Sequence, residues 1–213
     1  MELKELFQAW QLTSSLHSFN PPASEQSLLS VESELGFRIP QPLRELYLFS
    51  NGMHLFHGDL NLYPLQNGNN TLSNASRQCS EWFKIPPDLL IFGDNGSDEH
   101  YGIWATKVNN EIFGFPIIEI GELYHDPACM VIVSTDLLPF LYGVTAFFTL
   151  LSDNNGEALD IIGFPINLRV DKNEVNDEYF ARIRKWIDPM SPDLNPEPYT
   201  KGLNTYQVKS LFR

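Results

Sequence analysis

Histidines and an acidic loop are the residues of this sequence that could bind a metal ion. His54 and His57 are three positions apart, but no HExxH-like pattern surrounds them and they follow a predicted helix end. The loop at 94–99, DNGSDE, superficially resembles a calcium loop, yet it lacks the regular acid ladder and the late bidentate glutamate of an EF-hand. A turn with solvated acids is the better interpretation, and we predict no metal site.

The two cysteines are candidate nucleophiles only by residue type. Cys129 precedes the apolar residues 130–133, which is typical of a small buried side chain. The sequence contains no Gly-x-Ser-x-Gly motif, no phosphate-binding glycine loop and no dinucleotide fingerprint. We therefore predict that the protein is not an enzyme and has no cofactor. Cys79 and Cys129 lie far apart, without the spacing of metal ligands, which favours reduced thiols in a cytoplasmic protein.

Negative charge is concentrated in the middle of the chain. The net charge is −13, and residues 88–160 contain twelve acidic residues and one basic residue, Lys107. Such a field repels nucleic acids and anionic membranes and speeds encounter with basic proteins. Plain solubility explains the charge equally well. The candidate partner-binding residues are Asp94, Asp98, Glu99, Asp153, Glu157 and Asp160.

The first three of these acids lie in a predicted hairpin. An apolar run at 89–92 enters a loop rich in Gly and Asn, and a second run with Tyr101, Ile103 and Trp104 leaves it. Gly and Asn tolerate the positive φ angles that such loops require. The pattern predicts two antiparallel strands whose acidic loop points to solvent.

Apolar spacing predicts helices on both sides of this hairpin. Ser24 is a suitable N-cap and Gly36 a suitable end for a helix between them. The wide apolar face of 137–151 predicts a helix central to the core. Further helices are predicted at 3–19, from Gln41 to Asn51-Gly52, from 71 or 73 towards Trp82, and at 174–187.

Shorter apolar runs predict further strands. A run at 58–65 contains Pro64, which favours a position at a sheet edge. Segments 104–108 and 112–115 flank a predicted turn at Asn109-Asn110, and 116–120 is another strand candidate.

The length of 213 residues suits one domain whose core needs neither disulfides nor metals. The N-terminal residues lack the features of a signal peptide, and the longest apolar stretch, 137–151, is too short to span a bilayer. We predict one domain at 1–187 and a proline-rich extension at 188–213. Apolar residues of this extension could pack on the domain or on a partner: Tyr206, Val208, Leu211 and Phe212.

Two stretches together resemble the SUKH superfamily, which includes bacterial immunity proteins and fungal cell-wall assembly regulators. The first runs from a helix ending at Leu35-Gly36, through Ile39-Pro40, to a helix ending at Asn51-Gly52. The second is the hairpin, with the loop sequence IFGDNGSD at 91–98 followed by Tyr101-Gly102-Ile103. The resemblance covers residues 24–152.

The resemblance implies an α+β fold in which helices pack around an antiparallel or mixed sheet. It also implies binding without catalysis, because many bacterial members are thought to neutralise a toxin domain, often a nuclease, by binding it. A basic toxin domain would suit the acidic segment. An intracellular scaffold or regulatory adaptor of the same fold is the alternative. A hydrolase that uses the histidines is a third and weaker one.

Overall fold

A seven-stranded sheet is the centre of the fold. The computed structural model describes residues 2–187 except 67, 69, 84, 86, 98, 106–114, 122–129, 153–155 and 171. Each strand pairs in antiparallel fashion with the next one along the chain, so the order across the sheet is the order in the sequence. The strands are β1 (Ser18–Phe19), β2 (Met53–Leu55), β3 (Leu60–Leu62), β4 (Leu89–Asp94), β5 (Glu99–Trp104), β6 (Ile117–Gly121) and β7 (Met130–Ser134).

Helices cover the sheet. Within the described residues they are α1 (Leu3–Leu12), α2 (Glu25–Leu35), α3 (Gln41–Phe49), α4 (Leu72–Phe83), α5 (Leu137–Leu151), α6 (Gly156–Ile161) and α7 (Asp177–Ile187). None of these helices is both long enough and apolar enough to cross a membrane. The α+β class and the central hairpin predicted from the sequence are confirmed, and the sheet is antiparallel rather than mixed.

Alternating side chains of the strands divide the apolar residues into two clusters. In β4, Leu90 and Phe92 belong to the larger core with α1, α3 and α5, whereas Leu89 and Ile91 belong to a smaller cluster with Cys79 of α4. This alternation follows from the two-residue period of a strand, and it means that both faces of β4 are buried. The Cys79 side chain is buried in this smaller cluster, where it packs as a small apolar group.

Capping groups fix the helix that was expected between Ser24 and Gly36. The Ser24 Oγ accepts a hydrogen bond from the Ser27 N–H at 3.0 Å, and Gly36 ends the helix with φ of 79°. At the next helix, Pro42 occupies the first turn, where its missing N–H costs nothing, and Leu43 and Leu46 are buried. The predicted boundaries of α2 and the predicted start of α3 are therefore confirmed, but α3 ends at Phe49, before the expected Asn51-Gly52.

Several expectations for the strands and helices were wrong. The run before Pro64 forms β3, which lies inside the sheet between β2 and β4, because Pro64 follows the strand and removes no ladder hydrogen bond from it. The first helix ends at Leu12, and the last begins at Asp177. The sequence patterns did not predict β1, β2, β7 or α6, all of which are short. The predicted turn at Asn109-Asn110 and residue Cys129 lie outside the described residues.

Candidate functional site

The loop of the β4–β5 hairpin is built around the carboxylate of Asp94. Its Oδ1 atom accepts hydrogen bonds from the Asn61 side-chain amide at 2.6 Å and from the Gly96 N–H at 2.8 Å. Its Oδ2 atom accepts a third from the Tyr63 hydroxyl at 2.7 Å. No described basic residue forms an ion pair with this partly exposed carboxylate. The Asp94 carboxylate is thus held in a fixed position with no basic residue of the described chain paired to it.

Asn95 fixes the rest of the loop. Its Oδ1 atom accepts hydrogen bonds from the Ser97 N–H at 3.0 Å, from the Ser97 hydroxyl at 2.9 Å and from the Glu99 N–H at 3.3 Å. Its amide donates to the Glu99 carboxylate at 2.5 Å. Short polar side chains that bind the backbone two to four residues further on are typical of ordered turns. The loop is therefore held by its own side chains.

Two glycines permit the loop to lie against the neighbouring strand and turn. A Cβ atom at Gly93 would come within 2.2 Å of the Asn61 carbonyl oxygen, and one at Gly96 within 2.4 Å of the Gly58 carbonyl oxygen. Gly96 also has φ of 76°, a left-handed conformation that side chains disfavour. The sequence motif FGDNG thus reflects close backbone approaches as well as turn geometry.

A row of polar side chains crosses the sheet at the level of Asp94. His54 pairs with Asn61, Asn61 with Asp94, and Asp94 with His100 in successive strand ladders, so these residues share one face. We call these four residues, together with the nearby Tyr63, the polar row.

Hydrogen bonds in the polar row converge on Asp94. His54 Nδ1 donates to the Asn61 oxygen at 2.5 Å, and the Asn61 amide donates in turn to Asp94. From the other side, His100 Nδ1 lies 3.2 Å from the Tyr63 hydroxyl, which donates to Asp94. This arrangement places amide, imidazole and hydroxyl groups around one carboxylate.

The remaining candidate acids lie elsewhere or cannot be placed. Glu157 and Asp160 are exposed on α6, which packs against α1 and α5. Asp160 forms an ion pair with Arg169 at 2.5 Å. Asp98 and Asp153 lie outside the described residues. The structure therefore brings Asp94 and Glu99 together in one loop and assigns Glu157 and Asp160 to a different element.

The histidines do not form a metal site in the part of the chain that the structure describes, where no three His, Cys, Asp or Glu side chains are grouped as ligands. His54 and His100 lie in the polar row. His17 instead bonds to Thr13 and to the backbone of Phe56. His57 lies in the short turn between β2 and β3, with φ of 58°. The fifth histidine, His125, lies outside the described residues.

A comparison with protein-family profiles shows which family the chain belongs to. The profile of the SMI1/KNR4 family (SUKH-1) matches residues 22–143, which is more than half of the chain. The chain belongs to the SMI1/KNR4 (SUKH-1) family. The resemblance seen in the sequence is thereby confirmed. No curated protein matches the chain with significance.

The match to the SUKH-1 family contains the polar row and the whole hairpin but not the last two helices. It begins before α2 and stops within α5, so that α6 and α7 lie beyond it. The single domain predicted for 1–187 remains a prediction. The family region therefore contains one of the two sets of candidate acids, the one in the hairpin.

Sequence reasoning missed most of the polar row. It identified Asp94 but not Asn61, Tyr63 or the contacts of His54 and His100. A signal was present, since His54 lies between Met53 and Leu55, and Asn61 between Leu60 and Leu62. Such apolar–polar–apolar triplets are typical of strands with one buried face. They were too short to be recognised without the sheet.

Proposed function

We propose that the chain is a non-catalytic protein-binding domain of the cytoplasm, an immunity protein that binds and neutralises a basic toxin domain, such as a nuclease. The observation that carries this proposal is the carboxylate of Asp94, which is fixed within an ordered hairpin loop and forms no ion pair with a described basic residue. Membership of the SUKH-1 family supports a binding role and does not itself name the partner.

Order in the loop favours binding. A surface that is already held in one conformation loses little conformational freedom when a partner docks, so more of the contact energy appears as affinity. Asp94 and Asn95 together make at least six hydrogen bonds with neighbouring groups, and Gly93 and Gly96 pack directly against the backbone of Asn61 and Gly58. The loop thus has the rigidity expected of a recognition element.

Charge favours a basic partner. Residues 88–160 carry twelve acidic residues against one basic residue, and Asp94 and Glu99 form no ion pair with a described cation. Uncompensated carboxylates on one protein steer cationic surfaces towards it and disfavour nucleic acid. A nuclease presents a basic groove to its substrate, and an acidic loop could occupy that groove. Asp98 and Asp153 belong to the proposed surface by sequence position alone.

The acids of α6 are a second contact set in this proposal. Glu157 and Asp160 are exposed, and Asp160 forms an ion pair with Arg169. A surface ion pair of this kind contributes little to stability, so either residue can be changed without unfolding the domain. Variants of α6 and of the hairpin can therefore be compared directly.

The first experiment identifies the partner. The protein is purified from its native cells with its binding partners at low and at raised salt, and the partners are identified by mass. We expect one toxin domain, which associates more slowly as salt rises because ions screen the charges. Several unrelated housekeeping proteins would instead favour the scaffold or adaptor role, and recovery of an enzymatic activity from the purified chain would contradict a non-catalytic role.

A second experiment locates the binding surface. Glu99→Gln removes one charge but keeps an oxygen that can accept from Asn95, and Asp98→Lys reverses a charge in the same loop. Glu34→Lys, at an exposed position of α2, is the matched control. We expect the loop variants to slow association severalfold at low salt while the control does not. Equal rates for all three would exclude the hairpin loop as the contact, and the same comparison with Glu157→Lys tests α6.

A further inference from the structure

The turn between β2 and β3 has an unusual backbone conformation. Its residues Phe56, His57 and Gly58 have successive φ angles of 53°, 58° and 103°. Within the described residues, Phe56 and His57 are the only non-glycine residues with a positive φ. A side chain with a Cβ atom disfavours this region, and such residues persist where the surrounding structure holds them there. The contacts on the two sides of the turn show what holds it and what depends on it.

His17 holds the turn on the side of the large core. Its Nδ1 atom accepts a hydrogen bond from the Phe56 N–H at 3.2 Å, and the two rings meet edge to face with 4.7 Å between their centroids. The Phe56 ring also stacks on Phe148 of α5 at 5.2 Å, and only 3% of Phe56 is exposed. A buried N–H without an acceptor is costly, so the acceptor at Nδ1 favours this conformation of the turn.

The other side of the turn lies against the hairpin loop. A Cβ atom at Gly96 would come within 2.4 Å of the Gly58 carbonyl oxygen, so no free space separates the two backbones. The Gly96 N–H donates to Asp94 at 2.8 Å, and Asn61, three residues after Gly58, donates its side-chain amide to the same carboxylate at 2.6 Å. Groups packed without free space transmit a displacement to each other. A shift of Gly58 is therefore expected to move Gly96.

We propose that His17 is a positioning residue for the hairpin loop and acts through the turn at Phe56–Gly58. The hydrogen bond from the Phe56 N–H to His17 keeps the turn in its left-handed conformation, and the turn in that conformation supports Gly96 and the loop that carries Asp94. The purpose of this positioning rests on the proposed function, in which the loop is the recognition element. The positioning itself is measured on the free protein, without a partner.

Two substitutions of His17 separate its two hydrogen bonds. His17→Asn places an amide oxygen near the position of Nδ1 and keeps an acceptor for the Phe56 N–H, whereas His17→Gln places its amide near Nε2 and keeps a partner for Thr13 alone. The measurement follows the backbone amide signals of Gly58 and Gly96 in ¹H–¹⁵N spectra of the full chain at pH 7. Gly36, which ends α2 and whose Cβ would meet nothing within 4 Å, is the internal reference.

We expect His17→Gln to shift the Gly58 and Gly96 signals and to leave Gly36 unchanged. His17→Asn should keep all three signals near their original positions. A shift of Gly58 without a shift of Gly96 would overturn the proposal, because the turn would then move without the loop. Equal spectra for the two variants would contradict it as well, because the acceptor at Nδ1 would then not be the group that positions the turn.

A second pair of substitutions acts on the turn without changing the core, and it applies even where a His17 variant does not fold. His57 is exposed, so its replacement removes no buried side chain. His57→Val places a β-branched residue at φ of 58°, whereas the matched control His57→Asn places there a residue that tolerates the left-handed region. We expect His57→Val to shift Gly96 and His57→Asn to shift it much less. Equal Gly96 signals in the two variants would exclude transmission from the turn to the loop.

The association rate with the toxin domain recovered from native cells separates the positioning role from the proposed binding function. If His17→Gln moves Gly96 and slows association, both are supported. If it moves Gly96 and association is unchanged, the positioning role stands and the hairpin loop is not the binding surface. If Gly96 does not move, His17 does not position the loop, whatever the loop binds.

Discussion

The Nδ1 atom of His17 accepts a hydrogen bond from the backbone N–H of Phe56 at 3.2 Å. On the other side of the ring, Nε2 lies 2.9 Å from the Thr13 hydroxyl, which already donates to the Ala9 carbonyl and must therefore accept from His17. These two contacts place the single proton of the neutral ring on Nε2. The contact with the Phe56 N–H also stabilises a turn in which Phe56 has the unusual φ of 53°.

Protonation of His17 is expected to destabilise the fold. Burial, and then the proximity of His57, lower the pKa of His17 from about 6.5 to about 4. The unfolded chain therefore binds the proton first, and stability falls as the pH decreases from about 6.5 to about 4. The slope is at most about 1.4 kcal/mol per pH unit, and smaller because His17 is only partly buried. Urea unfolding at pH 7 and at pH 5 measures this change in the free energy of unfolding. His17→Gln should weaken the dependence, whereas the exposed His54→Gln should keep it.

Gly96→Ala is expected to destabilise the protein more than Gly36→Ala. Both glycines have left-handed φ angles, 76° and 79°, so both substitutions carry a backbone cost of about 1 kcal/mol. A Cβ atom at Gly36 meets nothing within 4 Å, but at Gly96 it meets the Gly58 carbonyl oxygen at 2.4 Å. We expect a further loss of roughly 1–3 kcal/mol at Gly96, measured by chemical denaturation. Equal losses would show that the turn at Gly58 moves freely away from the loop.

Removal of the Glu32 carboxylate is expected to cost more than removal of the Glu25 carboxylate. Both acids bind Arg44, but Glu32 is only 10% exposed and also accepts the Ile39 N–H at 3.1 Å. Glu32→Ala leaves a buried N–H and part of Arg44 unpaired, which we expect to cost about 1.5–3 kcal/mol. Glu25 is 60% exposed, and Glu25→Ala should cost less than about 1 kcal/mol. Urea unfolding of the two variants, which have the same net charge, compares them directly.

The hydroxyl of Tyr142 is expected to link α1 to α5 in a pH-dependent way. It bonds to the Glu5 carboxylate and to the backbone of Glu2. The Tyr142 hydroxyl, followed by the Glu2 N–H, lowers the pKa of Glu5 below its usual 4.5. The stabilisation is therefore present above about pH 4.5 and is lost as the pH falls through the lowered pKa. We expect Tyr142→Phe to reduce the melting temperature at pH 7 and to differ less from the unchanged protein near pH 3. A constant difference would contradict the link.

Patterns that span many residues could be predicted from this sequence. The apolar face of α5, the caps of α2 and the β4–β5 hairpin were all recognisable, because each depends on local spacing or on a cap. Strands of two or three residues, such as β1 and β2, are too short for an alternation of apolar and polar residues to be detected. Their positions also depend on pairing partners far along the chain. Pro64 was misleading because the strand pairing, which the sequence does not show, ends at Leu62, two positions before the proline.

The site was predictable only in part for the same reason. Charge and composition indicated the acids of the hairpin loop. The sequence could not show that Asp94 also accepts hydrogen bonds from residues of the neighbouring strand and the loop after it. Its contacts with Asn61 and Tyr63 join positions more than thirty residues apart. Only the sheet register brings those side chains together, so they could not be found from spacing along the chain.

The strand order of the sheet has a consequence for how the protein folds. Because every strand pairs with its neighbour in the sequence, each pairing closes a loop much shorter than the chain, the longest being that between Ser18 and His54. The helical layer is different, since Trp10 donates its indole N–H to Thr145 over a sequence separation of 135 residues. We expect the sheet to form early and the docking of α1 on α5 to come last. Substitutions at Trp10 should then accelerate unfolding more than they slow folding.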